Sequence, residues 1–282
     1  SGIEASGFRP YKGGFKSDKF YNMKEMQKEY QNKIISNITQ NEKTHFMAFC
    51  QHHGLPTNLV DFTYSPLVAL FFACEGKLNK DSNAEVYFIN KNRIVDITDI
   101  IISIGNENLL ELIMYDNDKL RVEILHKIID YFSKDIDNMY DQLIILMKSY
   151  QHDKLNVFGY KGIDNDEDER FDLSLYINQL IESKNKKINN RLNIIMDLYD
   201  FILSDIEDER ITYCAMYSSR LYPKEEELGA KIFLDLFINL LYIYAELEGQ
   251  FSIRSNLLFS YQPPNIFSRI SSQKGLFIYQ SY

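Results

Sequence analysis

The chain has 282 residues, and 31 Lys and Arg against 40 Asp and Glu leave a formal net charge of −9. Hydrophobic residues at 45% and charged residues at 25% are ordinary for a folded chain, which excludes a disordered segment, a collagen-like repeat and a pure coiled coil; at about 150 residues per domain the length suggests roughly two domains. The acidic balance disfavours sequence-independent binding of nucleic acid, which needs clustered positive charge. Only Cys50, Cys74 and Cys214 are present, too few and too scattered for a disulfide framework or a zinc ribbon, so a reducing compartment is expected.

From the start, Phe8-Arg9, closed by Pro10 and Gly13-Gly14, reads as a strand end and turn. Met23, Met26, Tyr30, Ile34 and Ile38 recur at helical spacing over 22–38. A second helix is expected over 42–52, ending at Gly54 with Pro56 two residues beyond. Leu59, Val60 and Phe62 then make a short extended run. Ser65-Pro66 opens another helix, with Ser as N-cap and Pro at the first helical position, and its body over 67–74 is apolar all round and therefore expected to be buried. The runs 85–90 (EVYFIN) and 93–97 read as strands.

After Asp99 the character becomes helical. A helical stretch begins at Leu109, and periodic runs follow over 120–150, 171–182, 191–204 and 226–248. The acidic segment 164–170 lacks the Gly and Glu that a calcium loop needs at its sixth and twelfth positions, where Glu169 and Leu175 stand, so it reads as a solvated loop. No window reaches the ~18 consecutive apolar residues of a membrane span. The nearest, 232–245, is broken by Asp235 and Asn239 and reads as a buried helix. With no secretory signal visible either, a cytoplasmic, membrane-free protein is expected. Strand character returns over 257–261 and 276–279. The order is explained most simply by one mixed core, residues 1–98 and 250–282, interrupted by a helical insertion over 99–249.

Chemistry concentrates in residues 51–67, QHHGLPTNLVDFTYSPL, where a helix end, a turn, a strand and a helix start follow within seventeen residues. Polar side chains crowded between apolar helices must be hydrogen-bonded or functional. For Asp61 two roles stand side by side, a catalytic carboxylate or an acceptor for turn amides. His52 suits either catalysis or the negative end of a helix, and Arg9 either a ligand contact or an ion pair with Asp61. His45, His52 and His53 lack a further ligand at metal spacing, so no metal is expected. Phosphate-binding glycine loops and the GxSxG and HExxH motifs are absent, which excludes P-loop ATPases, kinases, α/β-hydrolases and zincins.

This segment closely resembles the signature of the FRG domain, a bacterial and phage module whose usual wording is Gln-His-Tyr-Gly-Leu-Pro-Thr-Arg-Leu-Leu-Asp-Trp-Thr followed by Ser-Pro and an apolar helix. Phe8-Arg9 resembles the Phe-Arg-Gly that names the family, and Arg269-Ile270, Gln273, Gly275 and Phe277 resemble its closing element. Departures are Pro10 for the Gly after Phe-Arg, His53 for Tyr, Asn58 for Arg and Phe62 for Trp; loss of the Arg removes an anion contact at that position. The resemblance extends distantly to the ADP-ribosyltransferase fold and so implies an α+β protein, an ADP-ribosyltransferase-like split β core interrupted by a large helical insertion. It further implies NAD as the compound used, by an effector of a bacterial toxin or anti-phage defence system with a protein acceptor or regulatory partner. On this resemblance the catalytic set is Arg9, Asp61, Ser65 and Gln273. The NAD-binding set is Arg9, Gln51, His52, Gly54, Thr57, Thr63, Tyr64 and Arg269. The alternative it carries is a non-catalytic nucleotide-sensing or protein-binding module.

Overall fold

The computed structural model describes residues 5–9, 21–75, 83–104, 118–158, 173–186, 191–205, 224–246, 257–264 and 272–280. The chain forms two compact units, one from Ser1–Glu107 with Leu258–Ser281 and the other from Asn108–Leu257. The first mixes helices with a small sheet, and the second is helical throughout its described residues, so the chain is α+β and mostly helical.

In the mixed unit β1 (Leu59–Thr63), β2 (Ile94–Asp96), β3 (Leu258–Tyr261) and β4 (Gly275–Tyr279) form one sheet in the order β1-β4-β3-β2. β4 is antiparallel to both neighbours, with Ile278 opposite Val60 on one side and Ser260 on the other. Its residues Leu276, Phe277, Ile278 and Tyr279 are all buried, as in a strand covered on both faces. β2 runs parallel to β3. A parallel neighbour cannot be reached through a tight turn, and here the connection contains the whole helical unit. Closure entropy rises only slowly with loop length, so a long insertion between two strands of one ladder is tolerated.

Three helices precede β1: α1 (Met23–Ile34), α2 (Gln40–Thr44) and α3 (Phe46–His52). The Asn22 side chain caps α1 by accepting the Glu25 N–H, and Thr39 and Glu42 form a reciprocal capping box on α2. α1 ends four residues earlier than the periodicity to Ile38 suggested, because 35–37 turn away. The continuous helix expected over 42–52 is instead broken at His45, whose φ of −109° and ψ of 41° are not helical. Tertiary contact overrides propensity there, since the buried His45 ring lies with Nδ1 2.9 Å from the Tyr261 hydroxyl of β3 and stacks on that ring. After the break Phe46, Met47, Ala48, Phe49 and Cys50 are all buried, too continuous a run for one face of a surface helix. Burial pushes the His45 imidazole down to about 4 and the Cys50 thiol up to about 12.

Further expectations are corrected. Residues 6–8 form a 3-10 turn rather than a strand end. The run 85–90 carries strand-forming residues but joins no ladder among the described residues; Glu85, Val86 and Tyr87 line a cavity instead. The helix α4 (Pro66–Cys74) forms where expected, with Pro66 at its first position, but none of its residues is buried. Leu67 is 79% exposed and Phe71 63%, and Cys74, expected to be a buried small hydrophobe, is exposed too. Hydropathy sets a preference for burial, and a short helix lying against β1 satisfies it on one side only. Helix α5 (Thr98–Ile104), with Ile100, Ile101 and Ile104 buried, packs on β3.

The helical unit contains α6 (Asp118–Lys134), α7 (Ile136–Phe158), α8 (Ser174–Lys186), α9 (Arg191–Asp205) and α10 (Glu225–Glu246). α10 packs on α6, α7 and α9, and its residues 228–241 are buried without interruption. At Gly229 a Cβ would stand 2.3 Å from the Met139 sulfur, so α7 and α10 approach too closely there for a side chain. Lys231, Asp235 and Asn239 recur every four residues inside this buried helix. Lys231 Nζ sits 5.8 Å over the Tyr199 ring, and Asn239 Nδ2 donates to the Asp235 carbonyl at 2.8 Å. No described helix is long and apolar enough to cross a membrane. The stretch beginning at Leu109, the acidic segment 164–170 and Cys214 lie outside the described residues.

Candidate functional site

The site begins where α3 ends. Leu55 N–H reaches back to the Cys50 carbonyl at 2.9 Å and Gly54 N–H to that of Gln51 at 3.2 Å, a Schellman closure that requires Gly54 at φ +78°. Nothing lies within 4 Å of where a Gly54 Cβ would be, so backbone conformation rather than space calls for glycine. The closure turns the chain through Pro56 into Thr57, which is fully buried with every polar atom engaged. Its N–H donates to Ser6 Oγ at 3.1 Å, its carbonyl accepts from Gly7 N–H at 2.9 Å, and its hydroxyl accepts from Leu59 N–H at 3.1 Å. The same hydroxyl donates to Gln51 Oε1 at 2.5 Å.

With its oxygen held by Thr57, the Gln51 amide must present Nε2 outward, and that group donates to Asp61 Oδ2 at 2.8 Å. Thr57, Gln51 and Asp61 thus form one relay from the buried turn to the middle of β1, which fixes the amide orientation. At the end of β1 the Thr63 hydroxyl donates to the Gln273 carbonyl at 2.6 Å and accepts from Ser65 N–H at 3.0 Å. Tyr64 N–H donates to the Lys274 carbonyl at 3.1 Å. These bonds sew the β1–α4 corner onto the turn before β4, where Lys274 takes a left-handed φ of 48°. Ser65 occupies the N-cap of α4 but its side chain caps nothing; Thr63 supplies the local hydroxyl instead.

The corner opens into a cavity of about 640 Å³, within the usual range for a ligand site. Gln51, His52, Gly54, Asp61, Thr63 and Gln273 line it together, although Gln273 is more than 200 residues from the others in sequence. Four of the expected residues stand outside the lining: Arg9 is exposed, Tyr64 is 60% exposed, Ser65 is in the α4 cap, and Thr57 is buried behind Gln51. Arg269 lies outside the described residues. Asn58, at the position of the family's Arg, is buried with Nδ2 3.4 Å from the Tyr279 hydroxyl.

Sequence reasoning passed over the cavity's other wall. Ala69, Phe72 and Ala73, three and four apart, turn one side of α4 inward, and Glu85 and Tyr87 close the space from the non-strand segment. The Tyr87 hydroxyl donates to Glu85 Oε2 at 2.5 Å, and this hydrogen bond raises the tyrosine above its ordinary range. Among the described residues the lining holds two carboxylates, one imidazole, the rings of Phe62, Phe72, Tyr87 and Phe277, and no Lys or Arg. No group of three or more His, Cys, Asp or Glu among the described residues is placed to hold a metal ion.

The family model described as FRG domain matches residues 3–82, which covers α1 to α4 and β1. That match over residues 3–82 agrees with the resemblance carried by residues 51–67. No curated protein matches the chain. Nor does any solved structure.

Proposed function

We propose that the mixed unit is an ADP-ribosyltransferase-like module that uses NAD, acting as an effector in a bacterial toxin or anti-phage defence system. The observation that carries this reading is the cavity, where the Gln51–Asp61 pair and Thr63 from the FRG segment meet Gln273 from the turn before β4. In this reading the sheet is the split core of the transferase fold, with β1 and β2 before the helical insertion and β3 and β4 after it.

Transfer breaks the bond between the nicotinamide nitrogen and ribose C1′. The bonding pair leaves with the nicotinamide, positive charge grows on the ribose, and an acceptor nucleophile bonds to C1′ and gives up its proton. A carboxylate facing the ribose stabilises that charge better than a neutral amide can. Asp61, aimed by Gln51, supplies it, so Gln273 is left to hold a ribose hydroxyl. Thr63 ties strand to turn and keeps the two at fixed separation. The partly exposed phenyl ring of Phe62 offers stacking to the nicotinamide. The diphosphate finds no cation in the described lining and therefore stays outside the cavity.

Thermal denaturation with millimolar NAD, paired with an assay for released nicotinamide, tests the reading. Ligand at about 100 times its dissociation constant stabilises by about 2.7 kcal/mol, a readily measured shift. Wild type is expected to shift and to release nicotinamide, and Asp61→Asn to shift without release. Absence of any shift would end the NAD reading. It would favour the non-catalytic, protein-binding alternative, which the exposed apolar side chains Leu67, Leu70 and Phe71 of α4 support.

A further inference from the structure

The two carboxylates of the cavity share an arrangement. Asp61 Oδ2 is held by Gln51 and Glu85 Oε2 by Tyr87, while the second oxygen of each takes no hydrogen bond among the described residues. Four aromatic residues share the described lining with them, and no Lys or Arg does. Such a space repels phosphate and attracts a flat cation, through the carboxylate charges together with the aromatic lining. The nicotinamide of oxidised NAD is a pyridinium cation; the reduced dihydronicotinamide and free nicotinamide are neutral.

We propose that Glu85, braced by Tyr87, is a specificity-determining residue that makes this cavity select a pyridinium cation over its neutral counterparts. The inference rests on the reading of the cavity as an NAD site and deepens it, because it fixes the direction of binding. The charged ring enters between Glu85 and the aromatic wall, the ribose lies toward Asp61, and the phosphates stay outside. It further makes the site respond to the oxidised form of the dinucleotide alone, since reduction removes the charge that is recognised.

Calorimetric titration with 1-methylnicotinamide, a pyridinium cation, and with neutral nicotinamide isolates the charge from the rest of NAD. A cation–ring contact at an open site is worth roughly two- to fivefold in affinity, so with two carboxylates added the wild type should prefer the cation about tenfold or more. Glu85→Gln should reduce that ratio by about threefold, and raising the salt should shrink it as well, because the carboxylates are exposed to screening. Tyr87→Phe should lower the ratio less, and Glu85→Asp should retain part of it. Equal affinity for the two compounds, no binding of either by wild type, or a ratio unmoved in Glu85→Gln overturns the inference. Its failure is separable from that of the proposed activity: NAD turnover without charge preference removes this inference alone. Charge preference without turnover leaves the inference standing and removes transfer.

Discussion

Replacing Thr57 by Val removes one hydroxyl while keeping the shape of the side chain, so no cavity forms and the change reports on hydrogen bonding alone. The Leu59 N–H, on a residue only 1% exposed, loses its acceptor, and a buried donor left without one costs about 1–3 kcal/mol. Gln51 Oε1 loses its donor as well, for a net contribution of about 0.5–1.5 kcal/mol. The expected destabilisation is therefore about 2–4 kcal/mol, read as a lower urea midpoint at unchanged slope. Faster hydrogen exchange at the Leu59 amide should accompany it. Thr57→Ser keeps both bonds and should stay within about 1 kcal/mol of wild type. A change below about 0.5 kcal/mol in Thr57→Val, with Leu59 still protected, would refute the relay as the element that holds the corner together.

Gly7→Ala would place a Cβ 1.9 Å from the Met23 sulfur and 2.9 Å from the Thr57 carbonyl oxygen, so a loss of about 1–3 kcal/mol is expected in a urea melt. Met23→Ala in the same chain should recover only the part due to sulfur; a neutral Gly7→Ala would contradict this packing. The folded protein protonates His45 near 4 and the unfolded chain near 6.5, so this residue's contribution is fully present above 6.5 and lost as pH falls toward 4, by at most about 3 kcal/mol. His45→Gln should flatten that dependence in melts at pH 7, 5.5 and 4.5, and identical slopes in the two proteins would exclude His45 as its source. Lysine at Leu67 and Phe71 together should leave the melting midpoint within the equivalent of about 1 kcal/mol, since both side chains are mostly exposed. A loss above about 2 kcal/mol would show that the outer face of α4 is covered in solution.

The punctuation of the fold was legible in the sequence because each signal acts over a few residues. Gly54 and Pro56 mark the end of α3, Pro66 the start of α4, and the β-branched and aromatic runs the strands β2, β3 and β4. The motif in residues 51–67 was legible for the same reason, and the helical character of the middle of the chain follows from its periodicity. Where the readings went astray, a distant neighbour intervened. His45 interrupts a helix to reach Tyr261, 216 residues away, and the segment 85–90 has strand composition but pairs with no strand among the described residues.

What the sequence determined by itself was therefore local: where helices start and stop, which runs are extended, and that residues 51–67 pack polar chemistry into a tight corner. Tertiary structure alone decided that β4 separates β1 from β3, that Gln273 stands beside Thr63, that Glu85 faces a cavity and that α4 keeps most of its apolar surface exposed. Caps, turns and periodicity are settled by hydrogen bonds and sterics within four or five residues. Strand order, burial and the meeting of functional groups depend on which surfaces come together, and that choice belongs to the whole chain.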